Sequence, residues 1–171
     1  MTLRLILMRH AKSSWDNPLQ SDHDRPLNPR GQASARALGD WLAGKGLIPD
    51  LVLCSTATRT RETLALLNLP KGIETRFLQH LYHAPARRML DLLRREAGGD
   101  APAPCVLMVA HNPGCAEFAE HLVSRPPAHP RFPDYPTAAT LVADLPAQTW
   151  DEASFFTGDV VDFITPRELI G

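Results

Sequence analysis

Three short apolar runs in this sequence are each followed directly by cationic or imidazole side chains. Arg9-His10 follows residues 3–8, Ser55-Thr-Ala-Thr-Arg59 follows residues 51–54, and His111-Asn112 follows residues 105–110. Two guanidiniums and two imidazoles, with no obligatory carboxylate beside them in sequence, suit a multiply charged anion. The planar fork of arginine matches phosphate oxygens two at a time. A helix starting just after Ser55 or His111 would add backbone donors and the positive end of its dipole. A phosphoryl group is the natural guest. A histidine among cations is held neutral, and neutral imidazole is a competent nucleophile towards phosphorus. Arginines would then stabilise charge on the equatorial oxygens during in-line transfer.

Each residue taken singly has a plainer reading. Arg9 snorkels at a strand end, His10 is a core histidine bonded to backbone, and Arg59 is a solvated helix charge. Their coincidence at three run ends is what favours a site, because ligands of open α/β sheets bind beyond the carboxyl ends of the strands.

The runs are too short for helices, rich in Val, Ile and Leu, and lack polar alternation, as strands buried on both faces do. Helical periodicity fills the spaces between. The first helix is expected over 29–45, with Asn28 as N-cap, Pro29 at N1 and Gly44 and Gly46 as stops. Further helices are expected over 57–67, 85–96 and 113–123. Residues 124–136 read as a proline-dense loop. Two more strands follow at 138–145 and 160–164, joined by a polar hairpin-like connection. The alternation predicts an α/β fold, a three-layer α/β/α sandwich with a mostly parallel central sheet. With 171 residues the expectation is one domain over 1–171. Eighteen Lys plus Arg against 19 Asp plus Glu leave no basic field for nucleic acid. No stretch approaches the roughly 20 apolar residues of a membrane span. The first eight residues lack the long apolar region of a secretory signal. Cys54, Cys105 and Cys115 are odd in number and lack metal-ligand spacing. They read as buried free thiols, and the chain as cytoplasmic.

With these residues in view, the chain resembles the histidine phosphatase superfamily. Leu7-Met-Arg-His-Ala11 is similar to its arginine–histidine–glycine signature, with alanine for glycine. Ser55-x-x-x-Arg59-x-x-x-Thr63 resembles the second motif, and Val109-Ala-His-Asn112 the third. Within the superfamily the SixA-type phosphohistidine phosphatases resemble it most. They share its small size and Met8-Arg-His-Ala-Lys-Ser-Ser-Trp15, Asp24-Arg-Pro-Leu-x-x-Arg-Gly31, Leu81-Tyr82 and Tyr135-Pro-Thr137. The resemblance runs from residue 4 to about 167 and implies a phosphoglycerate mutase-like fold. It also implies that His10 becomes phosphorylated, that Arg9 and Arg59 clamp the phosphoryl oxygens, and that His111 donates to them. Water then hydrolyses the intermediate, with no metal and no cofactor. The implied partner is a phosphorylated protein, a histidine phosphotransfer or sensor kinase domain, or else a small phosphoramidate.

One departure bears on substrate. Mutase-like members carry a carboxylic acid before a tyrosine–glycine pair. Here residues 77–83 read Phe-Leu-Gln-His-Leu-Tyr-His, without Asp or Glu. An alkoxide needs a proton to leave, whereas imidazole leaves with less help, so the stretch favours a phosphoramidate. His80 is a candidate substitute acid, or simply a loop histidine. Arg25 is a second-tier substrate contact, alternatively paired with Asp24. Lys12 and Ser13 are expected at the pocket mouth, and Asn112 either touches substrate or fixes its loop. Arg87, Arg88, Arg94 and Arg95 read as a solvated helix face. Three other readings stand beside this one. They are a metal-dependent hydrolase using His10, Asp22, His23, Asp24 and His111, a non-catalytic phosphoryl-binding module, and a sugar-phosphate phosphatase or mutase.

Overall fold

The computed structural model describes residues 2–170; Met1 and Gly171 lie outside the described residues. Six strands, β1 (Leu3–Arg9), β2 (Leu51–Ser55), β3 (Glu74–Leu78), β4 (Cys105–Ala110), β5 (Thr140–Leu145) and β6 (Asp159–Ile164), form one sheet in the order β3-β2-β4-β1-β5-β6. The first four are mutually parallel, and β5 is antiparallel to both β1 and β6. The helices are α1 (Pro29–Gly44), α2 (Thr58–Leu66), α3 (Ala86–Ala97), α4 (Gly114–Leu122) and α5 (Pro166–Ile170).

Both faces of the sheet are covered, because the central strands hold unbroken apolar stretches, Leu5–Met8, Leu51–Cys54 and Cys105–Ala110, that present hydrophobic side chains to both sides. Leu3, Leu5, Leu7, Val106 and Met108 pack with Met89, Leu93, Phe118 and Leu122 of α3 and α4. The alternate residues Ile6, Met8, Leu107 and Val109 pack with Ala35, Leu38 and Leu42 of α1. The expected helices lie within one residue of their predicted ends. Asn28 caps α1 by accepting from the Gly31 amide at 2.8 Å. A Cβ on Gly31 would stand 2.0 Å from the Lys12 carbonyl oxygen, so glycine lets α1 press onto the loop after His10.

Two expectations need correction. β3 carries no long apolar run; it is a short sheet edge with Glu74, Thr75 and Phe77 exposed, and its polar character hides it in sequence. The β5–β6 connection is less polar than expected. Trp150 is fully buried within it and donates from Nε1 to the Ala103 carbonyl at 2.8 Å. Cys54, Cys105 and Cys115 are buried free thiols. No described helix is long and apolar enough to cross a membrane.

Candidate active site

Because β2, β4 and β1 are neighbours, their carboxyl ends bring the second, third and first motifs to one edge. A cavity of about 330 Å³ opens there, lined by Arg9, His10, Lys12, Ser13, Trp15, Asp22, Arg25, Arg59, His83, His111, Asn112 and Thr137. Arg9, His10, Ser13, Arg25, Arg59, His111 and Asn112, with Lys12, therefore border one pocket. Its wall holds four cations (Arg9, Lys12, Arg25 and Arg59) and one carboxylate, Asp22.

That carboxylate lies outside the set of two arginines and two histidines read from the sequence, where Asp22 enters only the metal-dependent alternative. Asp22 stands in a single 3-10 turn, Asp22–Asp24, in the loop before α1. Arg59 reaches back to it from α2, with Nη1 donating to the Asp22 carbonyl at 2.6 Å and Nη2 to Oδ2 at 3.0 Å. Tyr82 donates its hydroxyl to Oδ2 at 2.5 Å, and His83 Nε2 lies 3.1 Å from the same oxygen. Burial works against charge on Asp22. Hydrogen bonds from Tyr82 and Arg59, the Arg59 charge and the His83 bond outweigh it and hold the carboxyl well below the usual range.

His10 is 6% exposed at the pocket floor. Its Nδ1 is 2.7 Å from the Ala11 carbonyl oxygen. A carbonyl only accepts, so Nδ1 carries the proton and Nε2 keeps its lone pair. The Arg59 Nε–H points at that lone pair from 3.3 Å. Burial first, then the Arg59, Arg9 and Arg25 charges, push the imidazole down to about 3, against a raising contribution from the Ala11 bond. Neutral His10 thus offers a nucleophilic nitrogen to the pocket.

His111 is fixed similarly. Its Nε2 is 2.8 Å from the Ser55 hydroxyl. Burial, then the neighbouring His10 and Arg59, push it down to about 2. The Ser55 hydroxyl can donate to Nε2 or accept from it; where it donates, neutral His111 carries its proton on Nδ1. That atom is buried without a hydrogen-bond partner among the described residues. A buried polar nitrogen without a partner costs about 1–3 kcal/mol, and as a donor Nδ1 would recover that cost from an oxyanion in the pocket. Ser55→Ala is expected to lower kcat about ten- to hundredfold by freeing the tautomer, on the scale of one buried hydrogen bond. Steady-state kinetics beside a thermal melt checks this.

The arginines are held by different elements. Arg9 donates from Nη1 to the Tyr135 carbonyl at 3.1 Å, and Asn112 Nδ2 donates to the same oxygen at 3.0 Å. Tyr135 adopts φ 47°, a left-handed conformation that costs a non-glycine residue about 1–2 kcal/mol. Its hydroxyl anchors the turn, donating to the Leu7 carbonyl at 2.5 Å and accepting from the Leu141 amide at 3.0 Å. Asn112 Oδ1 also accepts the Ala116 amide at 3.1 Å, so this side chain fixes its loop as well as bordering the pocket. Arg25 pairs with Asp22 at 3.5 Å rather than with Asp24. It donates to the Ser13 hydroxyl and stacks on Trp15, 3.4 Å from the ring centroid. His80 is exposed and does not line the cavity, whereas His83 does. Among the described residues no three His, Cys, Asp or Glu side chains group as a metal ion requires.

The two depressed imidazoles have a consequence for stability. An unfolded histidine titrates near 6.5, while His10 and His111 titrate near 3 and 2 in the fold. Below about pH 6.5 the unfolded chain takes up protons that the folded chain refuses, so stability is full above that pH and falls as the medium is acidified. The unfolding midpoint is expected to drop between about pH 7 and 4. A His10→Asn/His111→Asn double variant is expected to show a smaller drop.

Residues 5–83 match the profile of the histidine phosphatase superfamily (branch 1). A Mycobacterium leprae protein, ML1117, described as uncharacterized, is 31% identical over 169 residues, spanning 94% of this chain and all of its own length. The chain belongs to the histidine phosphatase superfamily. An uncharacterized chloroplastic protein of Arabidopsis thaliana is 56% identical over 61 residues, or 36% of this chain and 28% of the plant protein. The fold is similar to a solved structure from Nakamurella multipartitia, described as a candidate phosphohistidine phosphatase SixA. The TM-score is 0.80 with 29% identity, covering 97% of each chain.

Proposed function

We propose that this chain is a metal-independent phosphohistidine phosphatase, cytoplasmic and acting in phosphorelay signalling. It would take a phosphoryl group from histidine on a histidine phosphotransfer or sensor kinase domain. The observation that carries the reading is the His10 ring. Its Nδ1 proton is committed to the Ala11 carbonyl, and its Nε2 lone pair faces the Arg59 guanidinium inside a cationic pocket. His10 Nε2 attacks phosphorus in line and becomes phosphorylated. Arg9 and Arg59 stabilise the equatorial oxygens, and His111 Nδ1 donates to one of them. Water then releases phosphate. Ser13, Arg25 and Asn112 border the same space and shape the entry of substrate.

The choice of phosphohistidine is supported by the likeness to the Nakamurella protein. The absence of a carboxylic acid in residues 77–83 supports it too, since an alkoxide leaves slowly without a strong proton donor. The test offers the purified chain a phosphorylated histidine phosphotransfer domain and a phosphoserine peptide, each with EDTA. Phosphate release is expected to be faster from the domain and unchanged by the chelator. Faster release from the serine ester overturns the substrate, and loss of activity in EDTA overturns the metal-independent route.

A further inference from the structure

We infer that His83, anchored by the Asp22 carboxylate, exchanges the proton with the leaving group at the pocket mouth. The inference rests on the phosphatase reading and names a catalytic group that the sequence motifs do not include.

His83 lines the cavity beside His111, with the two ring centroids 5.4 Å apart. His111 in turn stands 5.3 Å from His10. His111 thus neighbours both, with His83 exposed at the mouth and His10 and His111 buried. His83 Nε2 is committed to Asp22 Oδ2, an acceptor at 3.1 Å. The ring also packs on Tyr82, with centroids 4.1 Å apart. The backbone at His83 is left-handed, φ 55°, and this turn carries the side chain into the pocket. Its side chain is 52% exposed, and its Nδ1 makes no hydrogen bond to a described residue, so Nδ1 is the atom able to trade a proton. A carboxylate that orients an imidazole through one nitrogen while the other does proton chemistry is a recurring catalytic arrangement. The charged and titratable groups facing His83 are Asp22 from the loop before α1, Tyr82 beside it and His111 after β4. Arg59 of α2 acts on it through Asp22.

The chemistry balances. In the first half His10 Nε2 bonds to phosphorus as the phosphorus–nitrogen bond of the substrate breaks. The proton on His83 Nδ1 passes to the departing imidazole, which leaves neutral. In the second half a water oxygen bonds to phosphorus and the electron pair of the breaking bond returns to His10 Nε2. One water proton goes to His83 Nδ1 and the product is hydrogen phosphate.

The test follows formation of phospho-His10 in a single turnover, in wild type and His83→Gln. Glutamine keeps a donor for Asp22 but does not titrate. With a phosphohistidine domain the variant is expected to be about 10²-fold slower, at the low end of general acid–base contributions. With p-nitrophenyl phosphate, whose nitrophenolate departs without a proton, the change is expected to stay within about threefold. Equal losses on both substrates, or no loss on either, overturn the inference. If wild type prefers phosphate esters, the phosphohistidine reading fails by itself. The donor is then tested by p-nitrophenyl phosphate against phosphoserine, with the loss again expected only for the poorer leaving group. A wild-type chain that phosphorylates His10 from none of the three overturns both.

Discussion

His10→Ala is expected to lower turnover of a phosphohistidine substrate by about 10⁴-fold or more, the scale seen when a covalent nucleophile is removed. The same variant is expected to keep its affinity for inorganic phosphate within about tenfold. The neutral ring of His10 offers an anion at most one hydrogen bond, worth about 1 kcal/mol, while Arg9, Arg25, Arg59 and His111 remain in the wall. Stopped-time phosphate release and calorimetric titration measure the two quantities separately. A non-catalytic binding module predicts no turnover in the parent chain, so turnover in wild type together with its loss in the variant separates the two readings. A variant that still turns over at the parent rate places the nucleophile elsewhere.

The second large effect concerns Arg59. Arg59→Lys keeps the charge but removes the Nε–H aimed at His10 and the fork that grips the Asp22 carbonyl and carboxylate. The expected loss in kcat/KM is about 10³-fold or more, by analogy with arginines that stabilise phosphoryl transfer. Asp22 loses its buried partner as well, so its carboxyl is expected to titrate closer to the ordinary range in this variant. Paired kinetics and an NMR titration of the aspartate check both. A loss below tenfold would mean that Arg59 serves the fold more than the reaction.

Much of this site is legible in the sequence, for a definite physical reason. Parallel strands buried on both faces read as unbroken apolar runs, so β1, β2 and β4 announce themselves and so do the residues at their ends. Arg9, His10, Arg59 and His111 follow directly. Residues whose position depends on tertiary ion pairs do not. Asp22 lies in a loop without periodic pattern, and only its pairing with Arg59, Tyr82 and His83 brings it into the pocket. His80 is the candidate acid in the sequence, whereas it is His83, in a left-handed turn, that lines the pocket. β3 escaped because an exposed edge strand of five residues needs no apolar run. Ser55 stands inside a recognised motif, yet its hydrogen bond to His111 is visible only across the β2–β4 pair.

Phosphorylation of His10 is the central step. Mixing the enzyme with a phosphorylated histidine phosphotransfer domain, quenching in base within one turnover and mapping the peptide by mass spectrometry tests this directly. The predicted result is a single acid-labile phosphoryl group on His10, absent from His10→Ala. Phosphate release that proceeds at the full rate with no phosphoryl group on His10 would contradict it.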